Sequence, residues 1–417
     1  MPRILNKDNV IATVDIGTSK TCCLLACCGS GGEKAFVVGA GVYQNNGVRD
    51  SEITDMNATV DSVKNAVELA ERNIGERIKT VVASSCAKTL ESRTVLDSID
   101  LGGTEVTQSA VNRLIASAQG KIPASKDKIL HCAPIDYTLD SRYAVADPRG
   151  LTGDRLYVSL LTVSAPSHPV NDTVSALEHS SLSCSKIVAS PYAAGLACLT
   201  EDEKKQGTAV VDMGAGTTGI AVFYGDQPVF ITNLPFGGAQ ITQNIARAFH
   251  TSLSSAEKVK TLYGSTLESL TYDAEDIIVP LLGEDAATFP VNRAELVKII
   301  APEIRGLFEN VKTALTFAGY YDVCQNFVLT GGGALLHGVN EIAAEILDKR
   351  PVRTGSPRGL NDDRKIVPPA AYQSYMNCIG MVRYTTRVLM NTPQHKRDVS
   401  VPGNKFVRLL RWFLDNS

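Results

Sequence analysis

The sequence lacks an excess of charge of either sign, and it lacks long hydrophobic runs. Its 417 residues include 41 Lys and Arg against 44 Asp and Glu, a formal net charge of −3. Without a basic field over the whole chain, this composition argues against a general nucleic-acid-binding protein. No apolar run reaches the roughly 18 residues of a membrane-spanning helix. The start, MPRILNKDN, has no apolar stretch typical of a secretory signal peptide.

The cysteines lack the spacing of a metal site. None of the ten forms a CxxC pair, and four of them share one apolar run, TCCLLACC. A zinc site there is the alternative, but zinc knuckles need turns between their ligands. We therefore expect a reduced, buried strand. The cysteine usage and the missing leader both indicate the cytosol.

What the sequence does contain is a duplicated pattern. VIATVDIGTSKTCCLLAC begins at Val10, and TAVVDMGAGTTGIAVFY begins at Thr208. Each is an apolar β-rich run, then Asp-x-Gly, then small hydroxyl residues and a second apolar run, a pattern typical of a β-hairpin. The length allows two to three domains at roughly 100–200 residues each. The duplication predicts two related lobes that face each other.

The Asp-x-Gly turns predict phosphate binding. Backbone N–H groups of a tight turn can point at phosphate oxygens, and the aspartate beside them can hold a hydrated divalent cation. Lys20 would add a positive charge near the β- and γ-phosphates. A single copy is weak evidence for phosphate binding, because Asp-Gly turns are common in hairpins. Two copies, with Gly331-Gly332-Gly333 after the predicted strand NFVLT, favour a nucleotide-binding protein.

A dinucleotide-binding fold is the competing interpretation. The residues from Gly214 to Gly219 match G-x-G-x-x-G. That motif needs a helix directly after the glycines and an acidic residue about twenty positions further on. Here the β-rich run IAVFY follows, and NLPFGGAQ at 233–240 has no acid. We reject this interpretation, and no GxxxxGK[ST] motif is present either.

Helical spacing is found along the rest of the chain. It predicts helices at about 58–73, 111–118, from 190, 239–249, 255–262, 293–318, 338–347 and 374–389.

The paired hairpins, the SPYAAGL helix and the VLTGGGALLHGV segment resemble the actin and heat-shock-chaperone ATPase superfamily. Within it, nearly the whole chain is similar to the FtsA family of bacterial cell-division proteins. PIDYTLD and DPRGLTGDRL resemble that family's inserted subdomain, called 1C. The resemblance implies a two-lobed α/β actin-like ATPase fold. It implies subdomain 1A at 10–84, 166–204 and 357–390, 1C at 85–165, 2A at 205–235 and 303–356, and 2B at 236–302.

The resemblance also implies roles for individual residues around ATP and Mg²⁺. Asp15 and Asp212 would order Mg²⁺ waters around the phosphates. Glu257 and Lys260 match positions that contact ribose and adenine, although the sequence alone favours a solvated helix face there. The remaining matches are the first phosphate motif (Gly17, Thr18, Ser19, Lys20), the second (Gly214, Gly216, Thr217, Thr218) and the adenosine motif (Gly331, Gly332, Gly333, Ala334).

Two departures from the related families bear on catalysis. In the chaperone relatives, an acidic group before the connecting helix helps to position the attacking water, and here the matching residue is Ser190. Asn244 stands where FtsA relatives commonly have an acid. A serine is a poor general base. We therefore expect ATP binding with slow or undetectable turnover.

The C-terminal segment has the pattern of an interfacial helix. A polar linker at 391–404 precedes KFVRLLRWFLDNS at 405–417. With each residue advancing about 100° around a helix axis, the apolar residues form one face. The chain's only tryptophan lies at the rim of this face, and two arginines lie on the opposite side. Packing on its own domain or on a partner is the alternative. The residues are Phe406, Leu409, Leu410, Phe413 and Leu414 on the face, Trp412 at the rim, and Arg408 and Arg411 opposite.

By resemblance, the chain would polymerise and tether the ring of the tubulin-like protein FtsZ to anionic lipids on the inner face of the cytoplasmic membrane. The FtsZ tail would bind subdomain 2B, 1C would mediate self-association, and later divisome membrane proteins would be recruited at the septum. The pilus-assembly relative PilM is one alternative, but it lacks the amphipathic tail. A sugar kinase or exopolyphosphatase is another, but it would need a catalytic acid in a substrate cleft.

Overall fold

The computed structural model describes residues 10–28, 35–85, 87–267, 276–282 and 288–391, with side chains up to 388. The predicted membrane helix, with Phe406, Arg408, Leu409, Leu410, Arg411, Trp412, Phe413 and Leu414, lies outside the described residues. Among the described residues, no helix has both the length and the apolarity to span a membrane.

The described residues form strands and helices that alternate along the chain. The strands are β1 (Val10–Ile16), β2 (Lys20–Cys28), β3 (Ala35–Gln44), β4 (Val48–Arg49), β5 (Glu52–Ile53), β6 (Thr80–Ser84), β7 (Glu91–Asp100), β8 (Lys128–Leu139), β9 (Arg142–Val145), β10 (Arg155–Ala165), β11 (Ser183–Val188), β12 (Thr208–Met213), β13 (Thr218–Tyr224), β14 (Gln227–Leu234), β15 (Asp276–Pro280), β16 (Thr288–Asn292), β17 (Asn326–Thr330), β18 (Val352–Thr354) and β19 (Leu360–Asn361). The helices are α1 (Met56–Arg72), α2 (Gln108–Gly120), α3 (Ser167–His179), α4 (Ser190–Cys198), α5 (Glu201–Gln206), α6 (Gly238–Ala248), α7 (Leu253–Tyr263), α8 (Arg293–Phe317), α9 (Val339–Ile346) and α10 (Tyr372–Asn391).

Two mixed sheets share one topology. The first has the order β11-β6-β1-β2-β3-β19 and the second the order β14-β13-β12-β17-β18. In each, the central hairpin (β1–β2 or β12–β13) gains a third antiparallel strand on one side. On its other side two strands run parallel to the hairpin's first strand. We call the two sheets with their helices the first and second lobes. This repetition confirms the prediction of two related lobes.

The predicted helices are all present, and they differ from the structure only at their ends. Helix α1 illustrates why the spacing predicts these helices: Val60, Val63 and Val67 are buried at helical spacing. The Asp55 side chain caps the first turn by accepting from the Ala58 N–H, which fixes where the helix begins. Helices α3 and α5 were not predicted. Helix α3 buries only Val170, Thr173, Ala176 and Leu177, an apolar stripe too weak to stand out in the sequence.

The TCCLLACC run is strand β2, as predicted. Cys22 and Cys23 are buried in the first lobe's core, and Cys27 and Cys28 are half-buried. These thiols are free. Burial raises the pKa of Cys22 to about 12, so its thiol stays protonated and behaves as a small apolar side chain.

A third, antiparallel sheet with the order β7-β10-β8-β9 projects from the lobes. Helix α2 covers one of its faces around a separate small core that includes Leu114 and Leu156. Its base is fixed to the second lobe, because the Asn233 side chain donates to the Ala87 carbonyl oxygen at 2.8 Å. In addition, the Ile231 N–H donates to the Ser92 hydroxyl at 2.7 Å. The inserted sheet is therefore attached to β14, the edge strand of the second lobe's sheet.

Helices α4 and α10 cross between the lobes in close contact. A Cβ on Gly380 would lie 1.8 Å from the Ala193 carbonyl oxygen, and one on Gly195 would lie 2.2 Å from the Phe223 ring. Glycine at both positions lets α4 lie against α10 on one side and strand β13 on the other. This packing sets the distance between the lobes, and with it the width of the space between their central hairpins.

Candidate functional site

A cavity of about 370 Å³ lies between the lobes. Its volume is in the range of about 300–1,000 Å³ that small-molecule sites occupy. Both central hairpins reach it with their turns, as do the loop after β17, the N-terminal end of α6, the inner face of α7 and the first turns of α10. The two lobes thus contribute to one site.

The first hairpin turn is held in shape by backbone and side-chain hydrogen bonds. The Gly17 N–H donates to the Lys20 carbonyl oxygen at 3.0 Å. The buried Asn45 donates its side-chain amide to the Gly17 carbonyl oxygen at 3.1 Å and its backbone N–H to that of Ser19 at 3.0 Å. The Lys20 ammonium donates to the Ser374 hydroxyl of α10. The turn therefore presents a fixed backbone and one cation to the cavity.

The second hairpin turn is held by the start of helix α6. The Gly214 N–H donates to the Thr217 carbonyl oxygen at 3.0 Å, and the Gly238 N–H donates to the Gly214 carbonyl oxygen at 2.9 Å. Thr218 lines the cavity, but its hydroxyl donates to the Phe236 carbonyl oxygen at 2.9 Å. The N-terminal end of α6, with its positive helix-dipole end, thus lies directly behind this turn.

The two turns meet at Gly216. A Cβ at this position would lie 2.4 Å from the Thr18 Oγ1 and 2.7 Å from the Ser51 nitrogen. Any larger residue would separate the turns, so glycine permits the lobes to approach this closely.

The two aspartates face the same cavity. Asp15 Oδ1 accepts from the Ser84 hydroxyl, and its Oδ2 accepts from the Asn377 amide at 3.3 Å. Burial raises the pKa of Asp15 above its usual value. Burial, and then the negative charge of Asp15, raise the pKa of Asp212 to about 7. The site therefore disfavours simultaneous ionisation of both carboxylates, although the nearby Lys20 cation partly offsets this effect.

The loop after β17 approaches Asp212 closely. Gly331 has a left-handed φ of +82°, and a Cβ there would lie 2.6 Å from Asp212 Oδ1. Its N–H donates to the Gln373 side chain at 3.2 Å. A 3-10 turn at Gly332–Leu335 follows, and it directs Ala334 into the second lobe's core, away from the cavity.

Helix α7 forms another wall of the cavity. The Lys260 ammonium donates to the Gly238 carbonyl oxygen at 2.9 Å, to the Thr242 hydroxyl at 2.8 Å and to Glu257 Oε2 at 2.7 Å. Lys260 is only 8% exposed, so the solvated-face interpretation is wrong for this residue. Glu257 is more exposed, and its carboxylate lies at the cavity wall.

The structure brings together nearly all the residues predicted for nucleotide binding. Ala334 is the exception, while the other predicted nucleotide-site residues line this cavity. Ser190 also lines it, and its hydroxyl donates to the Ser85 carbonyl oxygen at 3.3 Å. Asn244 does not line it, and its amide donates to Glu303 at 2.8 Å. The expectation of slow turnover therefore depends on Ser190, not on Asn244.

Several residues that line the cavity, or that hydrogen-bond to a residue lining it, were not predicted from the sequence. Ser84 ends β6, which runs parallel to β1, so its place beside Asp15 follows from the rule that parallel strands end at one sheet edge. Gln373 and Asn377 share a face of α10 at i, i+4 spacing, but nothing local marks them as polar groups that face a cavity. Ser51 comes from the short β4–β5 hairpin.

Two lobes of common topology, with paired turns at a central cavity and an inserted antiparallel sheet, define an actin-like ATPase fold. Solved structures share it. The PilM–PilN type IV pilus biogenesis complex superimposes with a TM-score of 0.64 at 17% identity, covering 90% of this chain and 98% of that chain. MreB5 of Spiroplasma citri bound to ADP superimposes with a TM-score of 0.53 at 13% identity, covering 92% and 99%. At these identities the likeness is one of fold.

The sequence comparisons are more specific. Residues 209–380 match the family model of cell division protein FtsA, and residues 87–164 match the SHS2 domain inserted in FtsA. Cell division protein FtsA of Rhizobium meliloti (strain 1021) is 30% identical over 426 residues, covering 98% of this chain and 95% of that protein. The chain belongs to the FtsA family of cell-division proteins.

Proposed function

We propose that the cavity between the lobes binds ATP together with Mg²⁺. One observation carries this proposal: two Asp-x-Gly turns, one from each lobe, converge on a single cavity with Asp15 and Asp212 beside them. Tight turns at the ends of strands offer backbone N–H groups to phosphates. The fold shared with an ADP-bound MreB structure supports the same conclusion.

The residues of the cavity suit a hydrated magnesium ion. Within the described ranges, no group of three His, Cys, Asp or Glu residues could cage a metal. Mg²⁺ commonly keeps its waters and binds through one or two carboxylates and the substrate phosphates. Asp15 and Asp212 would hold it in that way, and a cation between them would offset both the burial and the repulsion from Asp15 that raise the pKa of Asp212. The buried Asn377 Oδ1, which has no donor in the described chain, could accept from such a water.

The other lining residues would bind different parts of the nucleotide, according to their place in the cavity. In our proposal the first turn (Gly17, Thr18, Ser19, Lys20) and the second (Gly214, Gly216, Thr217, Thr218) bind the phosphates. Glu257 and Lys260 of α7, with Gly331, Gly332 and Gly333, bind ribose and adenine. Ala334 is buried and is left out of the site. Ser190 in place of an acid favours slow or undetectable hydrolysis.

In the cell, we assign the chain the role of a nucleotide-gated polymer that tethers FtsZ to the membrane. Membership of the FtsA family supports this role. The proposed division is subdomain 1A at 10–84, 166–204 and 357–390, 1C at 85–165, 2A at 205–235 and 303–356, and 2B at 236–302. Subdomain 2B would bind the FtsZ tail, and 1C would mediate self-association. The helix predicted at 405–417 would bind anionic lipids at the cytoplasmic face of the septal membrane. Later divisome proteins would be recruited there.

Calorimetric titration of the full chain with Mg·ATP tests the site. Asp212→Asn should weaken binding by about tenfold or more, since a lost charged contact is worth roughly 1.5–3 kcal/mol. Asp322→Asn, at a fully exposed aspartate, is the matched control and should bind like the wild type. Circular dichroism verifies that both variants fold. Unchanged affinity in a folded Asp212→Asn protein would remove Asp212 from the proposed site.

A further inference from the structure

A short hairpin, β4–β5, contains consecutive left-handed residues without glycine. Its turn residues Asp50 and Ser51 have φ values of +48° and +60°. Such backbone is unfavourable for residues with side chains and persists where the surroundings hold it in place. The contacts around this turn therefore hold it in an unfavourable backbone conformation.

The base of the hairpin is attached to the first phosphate-type turn. The Gly47 carbonyl oxygen accepts from the Thr54 and Asp55 N–H groups at 2.8 and 3.0 Å, which closes the base. The Gly47 N–H donates to Asn45 Oδ1 at 2.9 Å, and Asn45 in turn donates to the Gly17 carbonyl oxygen. Hydrogen bonds through Asn45 and Gly47 thus connect the hairpin to the turn that contains Gly17.

The tip of the hairpin reaches across to the second lobe. The Ser51 N–H donates to Thr18 Oγ1 at 3.1 Å, and the Ser51 hydroxyl is hydrogen-bonded to Thr217 Oγ1 at 2.9 Å. Asp50 lies 3.8 Å from the Lys88 ammonium, and Gly216 leaves room for the turn. Ser51 therefore links the hydroxyl side chains of both turns, and it is half-buried in the cavity wall.

We infer that Ser51 is a specificity-determining residue that binds the terminal phosphate of a nucleoside triphosphate. The inference rests on the proposed nucleotide site. If α7 and the loop after β17, both in the second lobe, hold the nucleoside, the phosphate chain runs towards the first lobe. The terminal phosphate is then the group that reaches the meeting point of the two turns, where Ser51 touches both Thr18 and Thr217. A hydroxyl donor there forms a charge-assisted hydrogen bond that a diphosphate would not use.

The test compares Mg·AMPPNP with Mg·ADP by calorimetric titration of the full chain. Ser51→Gly removes the hydroxyl and suits the left-handed backbone, so the turn should form. Affinity for AMPPNP should fall about tenfold, while affinity for ADP should change by less than about twofold. Ser51→Ala should show the same selective loss, and circular dichroism verifies that both variants fold.

Asp50→Gly is the matched control. It places glycine at the neighbouring left-handed position of the same turn and removes only an exposed ion pair, so both affinities should stay within about twofold of the wild type. Equal losses for both nucleotides in Ser51→Gly, or no loss for either, would overturn the role of Ser51. Failure of the wild-type chain to bind either nucleotide would instead overturn the proposed function, and this inference with it.

Discussion

Asp15 and Asp212 occupy the same place in the two lobes, each at the penultimate residue of the first strand of a central hairpin. Both strands end at the cavity, so the duplication brings two carboxylates together. Burial and the charge of Asp15 raise the pKa of Asp212 to about 7. In the ligand-free protein, this arrangement should lower the free energy of unfolding near neutral pH.

The stability of the ligand-free protein should fall as pH rises towards neutrality. The pKa of Asp212 is about 7 in the folded chain and about 4 in an unfolded one, so the folded state binds the proton more tightly. The resulting stabilisation is complete below about pH 4 and is lost as pH rises through 7. Asp212→Asn should remove it. Between pH 5 and 8 the wild type should lose on the order of 1–3 kcal/mol more than the variant in urea unfolding.

The exposed Asp322→Asn change again serves as the control, because its pH profile should match that of the wild type. Parallel profiles for the wild type and Asp212→Asn would mean that Asp212 is ionised in the folded protein at pH 5.

The contact at Gly216 should be necessary for nucleotide affinity. Gly216→Ala would place a methyl group 2.4 Å from Thr18 Oγ1, so the two turns must separate. We expect Mg·ATP affinity to fall about tenfold or more while the protein stays folded. Gly306→Ala in helix α8 is the matched control, because Gly306 does not line the cavity and a Cβ there meets nothing within 4 Å. Similar losses in both variants, measured by calorimetry, would contradict a specific role for the Gly216 contact.

Local pattern predicted the parts of the site that depend on local geometry. The Asp-x-Gly turns and the glycine loop are recognisable because a tight turn after a strand needs particular residues wherever it occurs. Ser51, Gln373 and Asn377 reach the cavity only through the packing of distant segments, and no local signal marks them. Ala334 shows the converse: it belongs to a recognisable motif, but the 3-10 turn directs it into the core.

The carboxylate of Glu257 should recognise the ribose hydroxyls. Its Oε2 already accepts from Lys260 and Thr242, so it is held at the cavity wall. Glu257→Ala should lower ATP affinity about tenfold and leave the affinity for 2′,3′-dideoxy-ATP nearly unchanged, since that analogue lacks both hydroxyls. Lys258→Ala, an exposed change on the same helix, should alter neither affinity. An equal loss for both nucleotides would show that Glu257 only positions Lys260.

The helix predicted at 405–417 should bind lipid weakly as a single copy, because so short a helix would be marginally stable in water and its apolar face would be only partly buried at an interface. Emission from Trp412, the chain's only tryptophan, should shift to the blue when anionic vesicles are added. Leu410→Glu should abolish cosedimentation. Arg408→Gln with Arg411→Gln should weaken it on anionic vesicles, and the difference from the wild type should shrink at high salt because ions screen the basic contribution. An unmoved spectrum, together with cosedimentation that survives truncation to residues 1–404, would show that the anchor lies elsewhere in the chain.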